Sequence, residues 1–289
     1  MALSAPGLLA HARDVTSQFG EDGVIEAILE RLPDRVGWCV EFGAWDGLKF
    51  SNTFNLIANH GFSGILIESD PNRYRDLRSR YASADKVTAL HARVGYDRED
   101  SLDALLSATL IPLEYDLLSI DIDGNDYHAW EATTRYRPRT VVVEYNPTIP
   151  NSVDFVQKRD HRVSQGSSLR ALQRLGLSKG YELVGATWAN AVFVTAGWFP
   201  RMGLAENSLS AIRPNEEGVT HLFSGYDGTV FLRGNRRMEW HGVDYEEERV
   251  QQLPAWLRAH PARYGPLRRR LGRLYFAWRK RRQLRREGG

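Results

Sequence analysis

Acidic side chains and glycines gather at two points of this chain where an apolar run stops. The first is Val40-Glu41-Phe42-Gly43-Ala44-Trp45-Asp46-Gly47, followed closely by Ser51-Asn52-Thr53. Its Glu-x-Gly-x-x-x-Gly spacing is how a parallel strand ends in a tight turn that cups a nucleotide-like ligand. A dinucleotide fingerprint would be Gly-x-Gly-x-x-Gly, which packs glycine amides around a pyrophosphate. Glu41 and Asp46 bring negative charge to this turn instead, which repels a pyrophosphate and suits a ligand with a cationic sulfonium and an ammonium group.

That charge pattern points to S-adenosylmethionine as cofactor and to methyl transfer as chemistry. Glu68 lies 27 residues after Glu41 at the end of the next apolar run. A carboxylate there can accept two hydrogen bonds from ribose hydroxyls; the plainer reading is an acid capping the following helix. Upstream, Ser17-Gln18-Phe19-Gly20-Glu21-Asp22 is placed to cover the cofactor, or to cap the first helix through Ser17 or Asp22.

The second cluster is Asp121-Ile122-Asp123-Gly124-Asn125-Asp126-Tyr127-His128. Its acids follow a central strand, where ligands bind in open α/β sheets. Strand alternation puts Asp121 and Asp123 on one side, and Glu144 on the next strand ends beside them. Such convergence is repulsive unless a proton, a cation or a cationic substrate is present. Mg²⁺ accepts oxygen ligands of this kind, giving Asp121, Asp123 and Glu144 as a metal set. Asp121 and Asp126 are candidate catalytic acids, and His128 a candidate general base for a hydroxyl. Solvated caps and a surface histidine are the plainer alternatives. Glu144-Tyr145-Asn146-Pro147 either orients substrate or only makes a turn. Gly166-Ser167-Ser168-Leu169 opens a helix whose free amides are placed to face substrate, the plainer reading being a cap.

Alternating helix and strand patterns position these groups. Helices are predicted at 21–32, 53–60, 73–81, 101–107 and 167–177, and strands at 37–42, 64–68, 87–94, 115–122 and 140–145. Residues 181–185 and 191–195 read as a closing antiparallel pair. The expected fold is α/β: a Rossmann-like class I methyltransferase with a seven-stranded, mostly parallel sheet, helices on both faces and a C-terminal extension. Domains are placed at 1–200 (cofactor-binding), 201–252 (an extension with a turn at Gly225–Gly228 and a strand at Thr229–Arg233) and 253–289 (a basic amphipathic tail).

The run from Ser17 to about Thr195 resembles the FkbM-type family of class I S-adenosylmethionine-dependent methyltransferases. The pieces that carry the resemblance are Gln18 to Asp22, Glu41 to Gly47, Ser51-Asn52-Thr53, Ile67-Glu68, Asp121 to His128, and Gly180 to Val184 followed by Asn190 to Val194. The resemblance implies O-methylation of sugar hydroxyls in glycans, glycolipids or secondary metabolites. Related sugar O-methyltransferases use a divalent ion and a nearby histidine, which on this chain would be Asp121 or Asp123, Glu144 and His128. This sequence carries Tyr145 where some metal-dependent relatives have a second acid. The cofactor-binding set is then Gln18, Glu41, Gly43, Asp46, Gly47, Ser51, Asn52, Glu68 and Asp121. Rival readings are an N- or carboxyl-methyltransferase on the same fold, or a catalytically silent cofactor-binding module that recruits partners. A nicotinamide enzyme is disfavoured by the missing Gly-x-Gly-x-x-Gly.

Composition bounds the rest. The 289 residues are 42% hydrophobic and 26% charged, as in ordinary globular chains. Met1 to Ala12 has no basic stretch before its short apolar patch and makes a poor signal peptide. Cys39 is the single cysteine, which excludes an internal disulfide and a cysteine zinc site and fits a reducing cytoplasm. The whole chain carries net +2, yet residues 266–289 hold ten Arg or Lys against Glu287, so the remainder is near −7. In that tail Leu267, Leu271, Leu274, Tyr275 and Trp278 recur at helical spacing among arginines. This suits an anionic membrane surface, placing the protein at the inner face of the membrane; a solvated end, or docking on the acidic body or a second subunit of a homo-oligomer, are the alternatives. Nucleic acid is disfavoured, because the basic charge is confined to the tail.

Overall fold

The computed structural model describes residues 7–287, which divide into two compact units between Glu216 and Glu217. The first unit holds, in order, α1 (Glu21–Arg31), β1 (Trp38–Phe42), α2 (Phe54–His60), β2 (Ser63–Glu68), α3 (Pro71–Arg80), β3 (Val87–His91), α4 (Leu102–Leu106), β4 (Glu114–Ile120), α5 (Asp126–Ala132), β5 (Arg137–Glu144), α6 (Leu169–Ser178), β6 (Tyr181–Ala186), β7 (Asn190–Thr195) and α7 (Leu209–Ile212). Its seven strands form one sheet in the order β3-β2-β1-β4-β5-β7-β6. The first five run parallel and β7 runs antiparallel to both β5 and β6. This is the seven-stranded, mostly parallel sheet expected from the sequence. The strand order reverses between β1 and β4, the crevice where open α/β sheets bind ligands.

Alternation along each strand sorts the core into two layers. Val40, Phe42, Leu118, Ile120, Val141 and Val143 pack against Trp130 of α5 and Leu172 of α6 on one face. Cys39, Leu117, Val142 and Val192 pack against Val24, Ile25 and Ile28 of α1 and Leu56 of α2 on the other. Glu41 shares that second face with Cys39, so it is driven inward under the start of α2.

Of the boundaries that depart from the sequence pattern, three bear on the site. α3 opens at Pro71 rather than Arg73, because Pro71 takes its first turn and Asp70 accepts from the Asn72 and Arg73 amides at 2.9 Å. β3 stops at His91, which frees Ala92 to Val94 to line a cleft. β4 stops at Ile120, so Asp121 and Asp123 are not on a strand and alternation is not what aligns them. The first unit also continues past residue 200 to take in α7, whose Leu209 and Ile212 belong to the first core layer.

The second unit contains the hairpin β8 (Thr220–Ser224) and β9 (Val230–Gly234), the short pair β10 (Arg237–Met238) and β11 (Val243–Asp244), and the helix α8 (Pro266–Glu287). The Gly225 to Gly228 turn closes the hairpin with an amide-to-carbonyl bond at 2.9 Å. Among the described residues no helix is long and apolar enough to cross a membrane.

Candidate active site at the strand ends

Register builds the site row by row. Phe42 pairs with Ile67 on one side and Ile120 on the other, and Ile120 pairs with Val143. The next row out is therefore Gly43, Glu68, Asp121 and Glu144. At Gly43 φ is +77°, and a Cβ would lie 1.6 Å from the Asp121 carbonyl oxygen. Only glycine fits such an approach. The Gly43 and Ala44 amides both donate to the Ile67 carbonyl at 3.1 Å. Asp46 and Gly47 are turned toward α3: the Asp46 carboxylate takes the Leu48 and Lys49 amides and pairs with Arg80 at 3.0 Å, while the Tyr81 hydroxyl donates to the Gly47 carbonyl.

Glu41 and Glu68 hold loops. Both are about 4% exposed. Glu41 accepts from the Ser51 hydroxyl at 2.6 Å, the Thr53 hydroxyl at 2.7 Å and the Asn52 amide at 2.8 Å. Burial pushes its carboxyl above the usual range, and these three bonds oppose the rise. Asn52 in turn donates to the Ser119 hydroxyl at 3.0 Å. Glu68 accepts from the Trp45 amide at 2.9 Å and the Asp70 amide at 2.7 Å, one on each oxygen, which leaves lone pairs on both.

The stretch before α1 is a strap. One Asp22 oxygen takes the amides of Val15, Thr16 and Ser17, each at 2.8 Å. Thr16 donates to the Ser51 carbonyl at 3.0 Å, and buried Glu21 accepts from Thr187 and Asn190. Gln18 is exposed on it.

Three carboxylates meet beyond the strand ends. Asp121, Asp123 and Glu144 each offer an oxygen within 4.8 Å of the other two. A turn brings them together, with φ of +56° at Asp123 and +145° at Gly124. Asp126 closes that turn from inside, accepting from the Ile122 amide at 2.9 Å and the Gly124 amide at 2.8 Å, and is 2% exposed. Both of its carboxylate oxygens are thus engaged by amides of the turn itself. Asp121 opens to solvent on one side and is hemmed in by protein on the others; burial, then the charges of Asp126 and Asp123, push it up to about 7. Burial likewise lifts Asp126 to about 6, and burial with Asp121 as neighbour raises Glu144 well above its ordinary value. The group is thus short of positive charge.

His128 has one of its two ring nitrogens engaged. It is buried on α5 with Nε2 2.9 Å from the Gln157 carbonyl, so Nε2 carries a proton donated there. Nδ1 has no hydrogen-bond partner, and the nearest acid is Glu131 at 3.8 Å. The rings of Tyr96 and Tyr127 flank it at 5.8 and 5.4 Å. It secures the 157–166 loop, whose fold Gln157 completes by accepting the Gln165 and Gly166 amides at 2.9 Å. His161 of that loop stacks on Tyr96 at 4.6 Å.

Of the residues that line the neighbouring cleft, a space of about 570 Å³ including its mouth, sequence reasoning assigned Gly43 to the cofactor and passed over Arg93, His161 and Ser164. Gly43, Ile67, Arg93, Asn125, His161 and Ser164 face it. Asn125 donates to the Asp160 carbonyl at 3.2 Å, while its Oδ1 is buried with no partner. Asn125 was within sight, inside the acidic motif; nothing local marks His161. Tyr145 and Asn146 make a turn, with the Tyr145 hydroxyl on the Thr187 carbonyl and Asn146 Oδ1 accepting from Thr148. Ser168 caps α6 through the Ala171 amide.

No protein-family model matches this sequence, and no curated protein matches it either. Similar solved structures include a Galdieria sulphuraria protein assigned as a sarcosine dimethylglycine methyltransferase (13% identity, 56% of this chain and 61% of that one, TM-score 0.38). Others are the CMeT domain of the citrinin polyketide synthase (11%, 61% and 51%, 0.40) and the N-terminal domain of EvdMO1, solved with SAH and D-fucose (14%, 61% and 82%, 0.41). The alignments thus span under two thirds of the first two proteins.

Proposed function

We propose that this chain is an S-adenosylmethionine-dependent O-methyltransferase of the FkbM type, acting on a sugar hydroxyl of a glycan, glycolipid or secondary metabolite. The observation that carries the reading is the convergence of Asp121, Asp123 and Glu144 at the point of strand-order reversal, beside the cleft above Gly43. Three features in the cleft and at the adjoining strand end fit the cofactor. The Gly43 turn leaves no room for a side chain. The free lone pairs of Glu68 suit ribose hydroxyls, and the orphaned Asn125 Oδ1 suits an amino donor such as the exocyclic amine of a purine. Ser51, Asn52 and Gln18 would flank the methionine end.

When bound, the cofactor supplies an activated methyl group on a sulfonium, so the protein's task is placement and proton removal. Asp121, with an affinity for protons near neutral pH, is the residue suited to take the acceptor's proton. In this reading it replaces His128, whose ring is engaged with the Gln157 carbonyl. Were Asp121, Asp123 and Glu144, which supply hard oxygen donors, to hold a divalent ion such as Mg²⁺, Asp121 would serve as a ligand rather than as the proton acceptor, and the ion would lower the pKa of the acceptor hydroxyl.

The test is calorimetric titration with S-adenosylmethionine and separately with NAD, each with and without Mg²⁺. Micromolar binding of the former alone supports the reading, and a magnesium-dependent heat lost in Asp123→Asn supports the metal. Methylation of a hydroxyl on a sugar panel separates it from N- or carboxyl-methylation. Cofactor binding with no turnover on any acceptor favours a silent binding module, and no binding at all overturns the proposal.

A further inference from the structure

Helix α8 packs by the wrong face for an amphipathic helix. Arg268, Gly272, Tyr275 and Arg279 form the stripe that meets its own unit. Arg268 Nε donates to the Trp256 carbonyl at 2.5 Å, and the Tyr275 hydroxyl to the Gln252 carbonyl at 3.2 Å. Arg279 binds Gln252 through backbone and side chain. Gly272 is buried so closely that a Cβ would come within 3.3 Å of Leu257. The apolar stripe lies one residue back, about 100° round the helix. It consists of Leu267, Leu271, Leu274 and Trp278, which are 71%, 44%, 64% and 53% exposed.

We propose that this uncovered stripe of α8 inserts its leucines and Trp278 into the surface of an anionic lipid bilayer. Soluble helices hide such a stripe against their own core, and α8 instead spends a glycine and two arginines on docking. The stripe is bordered by Arg270, Arg281 and Arg282, within a segment of ten basic residues and one acid. That pairing of an apolar line with a dense positive field is complementary to acyl chains beneath negative headgroups. Trp278, already beside Arg282 at 5.6 Å, is a side chain favoured at the headgroup level. A nucleic acid would reward the arginines but not four exposed apolar side chains. The proposal does not depend on the methyltransferase reading.

Flotation of the full-length protein with vesicles tests it, comparing phosphatidylcholine alone with phosphatidylcholine mixed with phosphatidylglycerol. The expected result is salt-sensitive flotation with the anionic vesicles only. Leu271→Gln with Trp278→Gln keeps the charge and leaves the docking stripe intact, and should cut partitioning by about tenfold or more. Circular dichroism checks that the helix survives, and Leu274→Gln alone provides a milder second variant. No flotation with anionic vesicles overturns the proposal. So does flotation that both variants leave unchanged, which would reduce the helix to an electrostatic tether. Sedimentation velocity without lipid covers the other occupants: a self-associated protein that the stripe variants turn monomeric, or one that shifts with RNA and not with vesicles, also overturns it.

Discussion

Replacing Glu41 by alanine separates a residue that builds the site from one that touches ligand. Its carboxylate takes three hydrogen bonds in a fully buried setting. Bonds to a charged acceptor contribute about 1.5–3 kcal/mol each, and a stranded buried donor costs about 1–3 kcal/mol. The two hydroxyls can recover part of the loss, because Ser51 and Thr53 are already 3.4 Å apart and can bond to each other. The Asn52 amide has no such substitute. Removing the carboxylate also relieves the burial that raises its pKa. The balance is a destabilisation of about 2–4 kcal/mol, with a Tm drop on the order of 10 °C for a unit of this size. Glu41→Gln keeps an acceptor for Asn52 and should lose about half as much. Urea unfolding followed by far-ultraviolet circular dichroism measures both, with S-adenosylmethionine titrations on the folded variants. An alanine variant within about 0.5 kcal/mol of the parent that nonetheless fails to bind cofactor would refute the reasoning, since Glu41 would then be a direct contact.

Gly43→Ala meets both a positive φ and the Asp121 carbonyl, so it should abolish cofactor binding and lower the melting temperature; a variant that binds normally by calorimetry would contradict the close approach. Asn125→Ala removes the orphaned acceptor together with the bond to the Asp160 carbonyl, and should weaken S-adenosylmethionine by about tenfold at a cost of about 1 kcal/mol in stability, as titration and thermal melts would show. His128→Ala should lower stability through the 157–166 loop, with turnover falling in step with loop order; full loss of kcat at unchanged cofactor affinity would restore the histidine as base. The Cys39 thiol is wholly buried and held well above its usual pKa, so it should resist alkylation until denaturant is added, as read by intact-mass spectrometry.

The strands were legible because apolar, β-branched runs broken by Gly43, Gly61 and Gly180 leave few other structures open to the chain. The two acidic clusters were legible because charge stands out where such runs stop. Which carboxylates are held by their own loops was not: Glu41 and Asp126 accept from amides whose positions are set only once the turns are folded. Asp121 and Asp123 do come together, but by the positive-φ turn and not by alternation. His128 sits on a seven-residue helix whose facing is set by Tyr96 and the 157–166 loop, both distant in sequence. His161 carries no local pattern, and the strand β8 reads as polar until its partner β9 is beside it.

The strap before α1 has a bearing on how the molecule comes into being. Glu21 accepts from Thr187 and Asn190, partners 166 and 169 residues further on. Thr16 meanwhile anchors to the loop that Glu41 organises. During synthesis the early strands can pair as they emerge, yet the strap has no seat for Glu21 until the β6–β7 hairpin has left the ribosome. Contacts of such long separation form late, because closing the loop must be met before they stabilise anything. In a nascent chain the strap therefore stays unseated until that hairpin has emerged, and one of the longest-range contacts of the first unit completes the site's cover.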